Sequence, residues 1–390
     1  MAPLPVKTMP VDPSASAAGR VEIGAVIAEL ERARERTLAL VAHLPDAEIE
    51  RVQSPIMSPL AWDLAHIAAY EDLWLAHRHG GLELLRADLA ERYDAFETPR
   101  SVRGEIELLS AAEAREYMRE VRARVAETLP HVGTSDGVVC EMVIRHELQH
   151  TETMRQTLAL AGLLPHGEPA LEPMRAEQEW VRVPAGEFAL GAEGTGFAYD
   201  NERPRHAREL PAFEIARLPV SNESWLSFSE EGGYERREWW SHEGWAWKEQ
   251  NDINHHPGVA AGELRAPVCH VSWFEAEAFA RARGARLPSE AEWEKAAKRG
   301  AGASGGRAAG ALAEVGQVWE WTQSHFGGYP GFRAHPYREY SEVFFGERYR
   351  VLRGASWATS PRVASITFRN WDLPVRQQIF AGVRLARDAA

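Results

Sequence analysis

Cysteine is nearly absent. Cys140 and Cys269 are the only two in 390 residues. Two thiols so far apart make no disulfide scaffold, and a reducing compartment is expected. Long apolar runs are missing too. No stretch approaches the ~18 apolar residues of a membrane span, and the N-terminus lacks the basic segment and apolar core of a signal peptide. A soluble, cytoplasmic protein without a membrane partner is the expectation. Positive charge is also in short supply. The 44 Lys+Arg against 57 Asp+Glu leave a formal charge of −13, which argues against nucleic acid as a partner. No GxGxxG or GxxxxGK loop follows a strand pattern, so a dinucleotide or P-loop site has no support. Tryptophan, by contrast, is plentiful at 14 residues. Most are expected in the core, and some could line a pocket.

The chain divides into two halves of different character. Residues 1–19 are rich in Pro, Ala and Ser and read as a flexible tail. From Val21 the pattern is helical, with Ile23, Val26, Ile27 and Leu30 at helical spacing. A second helix is predicted from Ser58-Pro59, a plausible cap and first-turn proline, through Leu60, Leu64 and Ile67 to His79-Gly80-Gly81. A third spans about Ser110 to Thr128, with Ser110 and Glu113 spaced as a capping box. A fourth runs from Gly137 to Leu163. These four predict a bundle over 20–168. Beyond Pro169, glycine and tryptophan become frequent. Residues 179–191 alternate as strand and turn, and Val268–Trp273 and Tyr349–Leu352 are further strand candidates. Helices are predicted over Trp273–Arg283 and from Pro288-Ser289. Gly300–Gly310 reads as a surface loop. The second half, 175–390, is α+β or irregular.

The candidate chemistry lies on the fourth helix, in His146-Glu147-Leu148-Gln149-His150. His146 and His150 are i,i+4 neighbours and leave the same helical face. HExxH is also the zinc-peptidase signature, with Glu147 as general base. That reading needs a third zinc ligand downstream, and Thr151 to Gln156 supply no histidine. The other candidate for a third ligand is His66, mid-helix among Leu64, Ile67 and Ala68. Glu147 and Glu152 point off the ligand face. Three neutral imidazoles suffice for a mononuclear site and leave up to ~3 positions of an octahedral ion for substrate and dioxygen. A lone His66 would more often be a packed histidine, and His43, His77 and His79 read as solvated or capping residues. A non-catalytic binding module, with all three histidines as core, is the bland alternative.

The residues HELQHTETM and, around His66, AWDLAHIAAYEDLW resemble the DinB-like helical domain of the ergothioneine-biosynthesis sulfoxide synthases. The second half resembles a formylglycine-generating-enzyme (sulfatase-modifying-factor) domain, of C-type-lectin-like fold. The marks are VRVPAGEFALG at 181–191, PVCHVSWFEAEAFARARGARLPSEAEWEKAA at 267–297, GQVWEWT at 316–322, RVLRGASW at 350–357 and FAGVRLA at 380–386. The resemblance spans nearly everything beyond the tail.

The resemblance implies a non-haem iron(II) enzyme with dioxygen as co-substrate. His66, His146 and His150 match its iron ligands. Hercynine, a trimethylated histidine betaine, would receive a C–S bond at imidazole C2 with oxidation of the sulfur to a sulfoxide. Gln149 resembles a glutamine beside the hercynine imidazole. Asn370 and Trp371 resemble residues holding its betaine end, where a tryptophan face suits a quaternary ammonium. Arg100 and Arg103 are candidates to clamp a co-substrate carboxylate, and Asp372 to bind its amino group. A tyrosine near the oxygen side is implied. Tyr337 is preferred, Tyr340 also qualifies and Tyr329 stays open. No cysteine follows Cys269, so the second domain resembles a substrate-binding lid rather than a formylglycine generator. The donor is expected to be γ-glutamylcysteine, with cysteine or a selenosugar (as in the related selenoneine synthases) as alternatives. A monomer is expected.

Overall fold

The computed structural model describes residues 22–135, 137–194, 196–258, 263–299 and 308–389. The expected tail at 1–19 lies outside them, as does most of the glycine-rich segment at 300–310. Among the described residues no helix is long and apolar enough to cross a membrane.

The first half is helical. Its elements are α1 (Ile23–Val41), the short α2 (Asp46–Glu50), α3 (Leu60–Glu71), α4 (Ala111–Val132) and α5 (Val138–Ala161). Leucine, valine and alanine at helical spacing close the core between them, with Leu30, Leu60, Leu64, Val121, Val125 and Leu158 all inaccessible to solvent. Ser110 and Glu113 form the expected capping box at the start of α4. The cap expected at Ser58 is not made. Pro59 occupies the N-cap position of α3 without a side-chain bond, and Ser58 Oγ instead accepts a hydrogen bond from Arg103 at 2.8 Å. The α3 helix does not end at Glu71. It continues as a π-helical stretch, Asp72–His79, and the wider winding places Trp74 against Tyr337 of the second half.

The second half holds short strands around small helices: β1 (Trp180–Val183), β2 (Gly186–Leu190), β3 (His206–Leu210), β4 (Phe213–Ala216), α6 (Asn222–Glu230), α7 (His242–Gln250), α8 (Trp273–Ala282), α9 (Glu290–Lys298), β5 (Ala308–Ala309), β6 (Leu312–Ala313), β7 (Trp319–His325), β8 (Arg350–Arg353), β9 (Asn370–Asp372), β10 (Ala381–Gly382) and β11 (Ala386–Asp388). The largest sheet has the order β10-β7-β8-β9. In it β9 is an edge strand, with Trp371 opposite Val351. The strand expected over Val268–Trp273 does not form. Val268 and Val271 donate to two different segments, at Val220 and Ala381. Between them His270 turns to φ +67°, and Ser272 then caps α8.

The two halves meet along α5. Glu152 is buried there and accepts hydrogen bonds from Trp319 Nε1 (2.7 Å), Ser356 Oγ (2.8 Å) and Thr359 Oγ1 (2.6 Å). Arg362 of the second half pairs with Glu141 and with Glu29.

Candidate metal centre

Helical periodicity puts His146 and His150 on the inward face of α5, opposite His66 of α3. One ring nitrogen from each lies within 4.8 Å of the others. His66 and His146 approach to 3.1 Å between their Nε2 atoms. Two of the far ring nitrogens are anchored. His66 Nδ1 is 2.6 Å from the Tyr93 carbonyl, and His150 Nδ1 is 3.0 Å from Asp63 Oδ1. Such anchors fix the tautomer and aim Nε2 into the centre. Burial pushes the His66 and His146 pKa values well down, and the neighbouring histidines add to the effect. Both are therefore neutral imidazoles, the form that ligates a metal. Flat rings clamp the two. Trp62 stacks on His66 at 4.6 Å and Tyr70 on His146 at 3.6 Å. Among the described residues this is the one group able to hold an ion, and its convergent, pre-oriented donors fit one.

The other face of α5 excludes the peptidase reading. Glu147 is buried in an ionic cluster away from the histidines. Arg34 Nε and Thr37 Oγ1 donate to its Oε1 at 2.9 and 2.8 Å, and Arg122 lies 3.4 Å from Oε2. Glu71 shares both arginines. Burial alone would raise the Glu71 pKa, but Arg122 and Arg34 hold it below the usual range. Glu147 is bound up in this buried cluster with Arg34, Thr37 and Arg122.

The remaining candidates fall into two neighbouring groups. Tyr337 Oη is 3.0 Å from Tyr70 Oη, one ring away from His146. Gln149 Oε1 accepts from Tyr199 Oη at 3.0 Å, and Tyr199 stacks on Tyr340. Tyr340 in turn meets Trp371 edge-on at 6.1 Å. Phe326 covers one face of Trp371 at 4.1 Å. Asn370 Oδ1 accepts from the Trp371 amide. Asp372 is pushed up by burial, against the pull of Arg100 and Arg376. Side-chain contacts thus run from His146 through Tyr70, Tyr337 and Tyr340 to Trp371.

Two candidates stand elsewhere. Arg103 is 5% exposed and its donors are spent on Thr98 O, Ser58 Oγ and Ala95 O. Its guanidinium lies 3.5 Å over Trp62, and burial lowers its pKa to about 9. It supports the ring behind His66 and is no clamp. Tyr329 belongs to a separate core around Phe213 and Trp293, beneath Arg369. Conversely, Asp63, Tyr70, Tyr199 and Arg376 escaped the reading of the sequence. Asp63 and Tyr70 stand three residues before and four after His66, so helical spacing could have found them. Tyr199 lies in a loop and carries no local signal. His43, His77 and His79 each bond a carbonyl at a chain turn, as expected of capping residues. Cys140 is buried.

Fold and site together define a two-domain protein with a three-histidine group able to hold a metal between α3 and α5. Residues 29–154 match the DinB superfamily, and 166–310 with 306–389 match the sulfatase-modifying factor enzyme 1-like domain. Hercynine oxygenase of Mycolicibacterium smegmatis is 40% identical, over 92% of this chain and 98% of the relative. That of Mycobacterium tuberculosis is 41% identical over 92% and 97%. Formylglycine-generating enzyme of Streptomyces coelicolor is 34% identical over 34% of this chain and 50% of its own. The chain belongs to the hercynine oxygenase family.

Proposed function

We propose that this chain is an iron(II)-dependent hercynine oxygenase that joins hercynine to γ-glutamylcysteine. Unit 20–168 supplies His66, His146 and His150 to hold the iron, and unit 175–390 is the substrate-binding lid. The observation that carries the reading is the convergence of three imidazoles, two of them anchored, with Tyr337 one ring away. Two nitrogens ~2.1 Å from a common ion stand ~3.0 Å apart at a right angle and ~3.4 Å apart in a tetrahedron. The 3.1 Å between His66 and His146 lies between these two values, so both can serve one ion. Bound iron supplies the one-electron and dioxygen chemistry that zinc cannot.

The balance is simple. The imidazole C2–H and the thiol S–H each lose hydrogen, a C–S bond forms, one oxygen atom ends on sulfur and the other leaves as water. Tyr337 is suited to hold or deliver a proton on the oxygen side, because burial raises its pKa and keeps it a phenol. Gln149, Asn370 and Trp371 bind hercynine. Arg100, with Arg376 3.8 Å from Asp372, gives the donor pocket two cations for two carboxylates and one anion for an ammonium. The curated relatives give the selenosugar alternative no support.

The test is a competition under air. Iron-loaded protein receives hercynine with γ-glutamylcysteine and cysteine in parallel, and products are identified by mass. A hercynyl γ-glutamylcysteine sulfoxide as the main product is expected. Cysteine adducts alone would overturn the donor. No hercynine consumption, or full activity with zinc, would overturn the reaction.

A further inference from the structure

Tyr70 carries a hydroxyl that the packing around it does not require. Its ring lies flat on His146, at 3.6 Å and 8° between planes. Stacking of this kind needs only an aromatic ring, and a phenylalanine would supply one. The hydroxyl serves something else. It lies 3.0 Å from Tyr337 Oη, across the domain boundary. Among the described residues that is the one hydrogen bond of the Tyr337 hydroxyl. The tyrosine on the oxygen side is therefore held at its polar tip by a residue of α3. Tyr70 stands four residues after His66, so one helical face carries both a histidine of the metal group and the partner of Tyr337.

The loop that carries Tyr337 is tied at both ends, and both ties belong to its own half. Asp200 accepts from the His335 amide and from Ser341 Oγ, and Asn201 Nδ2 reaches Ser341 Oγ at 3.0 Å. Between these ties the Tyr337 ring meets Trp74 at 5.0 Å and Tyr340 at 6.2 Å. Ring contacts of that kind hold the plane of a phenol. A hydrogen bond is directional and fixes where its oxygen stands. The Tyr70 bond is thus what sets the Tyr337 hydroxyl against the helical half. In a pair of phenols one hydroxyl donates and the other keeps its own proton out of the bond. Whichever of the two donates, the pair holds one proton that the bond does not use.

We propose that Tyr70 is a positioning residue whose hydroxyl holds that of Tyr337 beside the histidine group, and so helps to decide whether oxygen chemistry ends in the C–S bond. This rests on the proposed reaction and on Tyr337 as its proton-bearing group. Tyr70 acts through Tyr337. The competing outcome balances without the imidazole: thiol and dioxygen give the sulfinic acid, with both oxygen atoms on sulfur and hercynine left unchanged.

The experiment is a double-mutant cycle of Tyr70→Phe and Tyr337→Phe with two readouts. Each substitution keeps its ring and deletes one side of the hydrogen bond. The first readout is the denaturant midpoint of metal-free protein. Either single variant should unfold earlier, and the double variant no earlier than the weaker single, because the two hydroxyls act as a unit. The second is the product ratio of iron-loaded protein given hercynine, γ-glutamylcysteine and air, by mass. Tyr70→Phe should raise the share of sulfinic acid over sulfoxide about fivefold, the worth of one net hydrogen bond. In Tyr337→Phe protein it should raise that share no further. A ratio reports only molecules that turn over, so it stays readable if a variant partly melts. Bound iron should match wild type. Midpoint losses that add, an unchanged ratio in Tyr70→Phe, or loss of iron in that variant would each overturn the positioning role and leave the oxygenase reading intact. Wild-type protein that consumes no hercynine would overturn both.

Discussion

The two faces of α5 differ by one residue in sequence and by everything in chemistry. His146 and His150 point inward to a convergent centre of imidazole nitrogens. Glu147, the next residue after His146, points the other way into two arginines and a threonine. A five-residue motif usually read as one device is here split by the ~100° step of the helix into a ligand pair and a structural anchor. Residue order alone therefore does not name the reaction. The side on which Glu147 lands does.

The difference can be broken by substitution. His146→Ala should reduce turnover to background and lower bound iron, measured by metal content after anaerobic loading, while the melting temperature stays near wild type. Glu147→Ala should do the reverse. It leaves Arg34 and Arg122 short of a buried anion, at a cost of about 3–5 kcal/mol in stability by denaturant unfolding, with iron stoichiometry kept in the folded fraction. A Glu147→Ala variant that lost its iron at full stability would erase the distinction between the faces.

Two smaller effects sharpen it. Asp63→Ala removes the anchor from His150 and should weaken iron binding by about 10–100-fold in a competition titration with a chelator. Asp63→Asn, which still accepts a hydrogen bond, should recover part of that loss. Arg103→Ala should cost about 1–2 kcal/mol, from the lost cation–π contact with Trp62, and leave the Michaelis constant for the thiol unchanged. A large rise in that constant would restore Arg103 to the donor pocket.

The same contrast marks what could be read from the residues. Helices α1, α3, α4 and α5 were legible because a 3.6-residue period repeats over many turns. The ligand pair was legible for the same reason, as i,i+4 spacing needs no tertiary information. The second half gave up its type through motifs and only some of its strands, β1, β2 and β8, since its strands run from two to seven residues. Too few alternations exist there to set a phase, and Val268–Trp273 reads as strand although its backbone bonds run to two unrelated segments. Arg100 and Arg103 look alike in sequence. Only packing shows that one guanidinium lies over Trp62 while the other bears on Asp372. Tyr199 gains its meaning from Gln149, 50 residues away in the other domain, where no local pattern reaches. Arg376 stands four residues after Asp372, but the chain between them is not helical, so that spacing carried no signal.

The π-helical stretch at 72–79 also has a bearing on how this site can change over generations. Helix winding with i→i+5 bonds accommodates one residue more than the α form does over the same path. Loss of a single residue there would let the segment rewind as α-helix and rotate the downstream chain by about 100°. A deletion ahead of Trp74 would carry that ring away from Tyr337, while His66, upstream, would stay in place. A one-codon deletion would thus detach the tyrosine from its support while the three histidines kept their places, a short mutational step that separates the two.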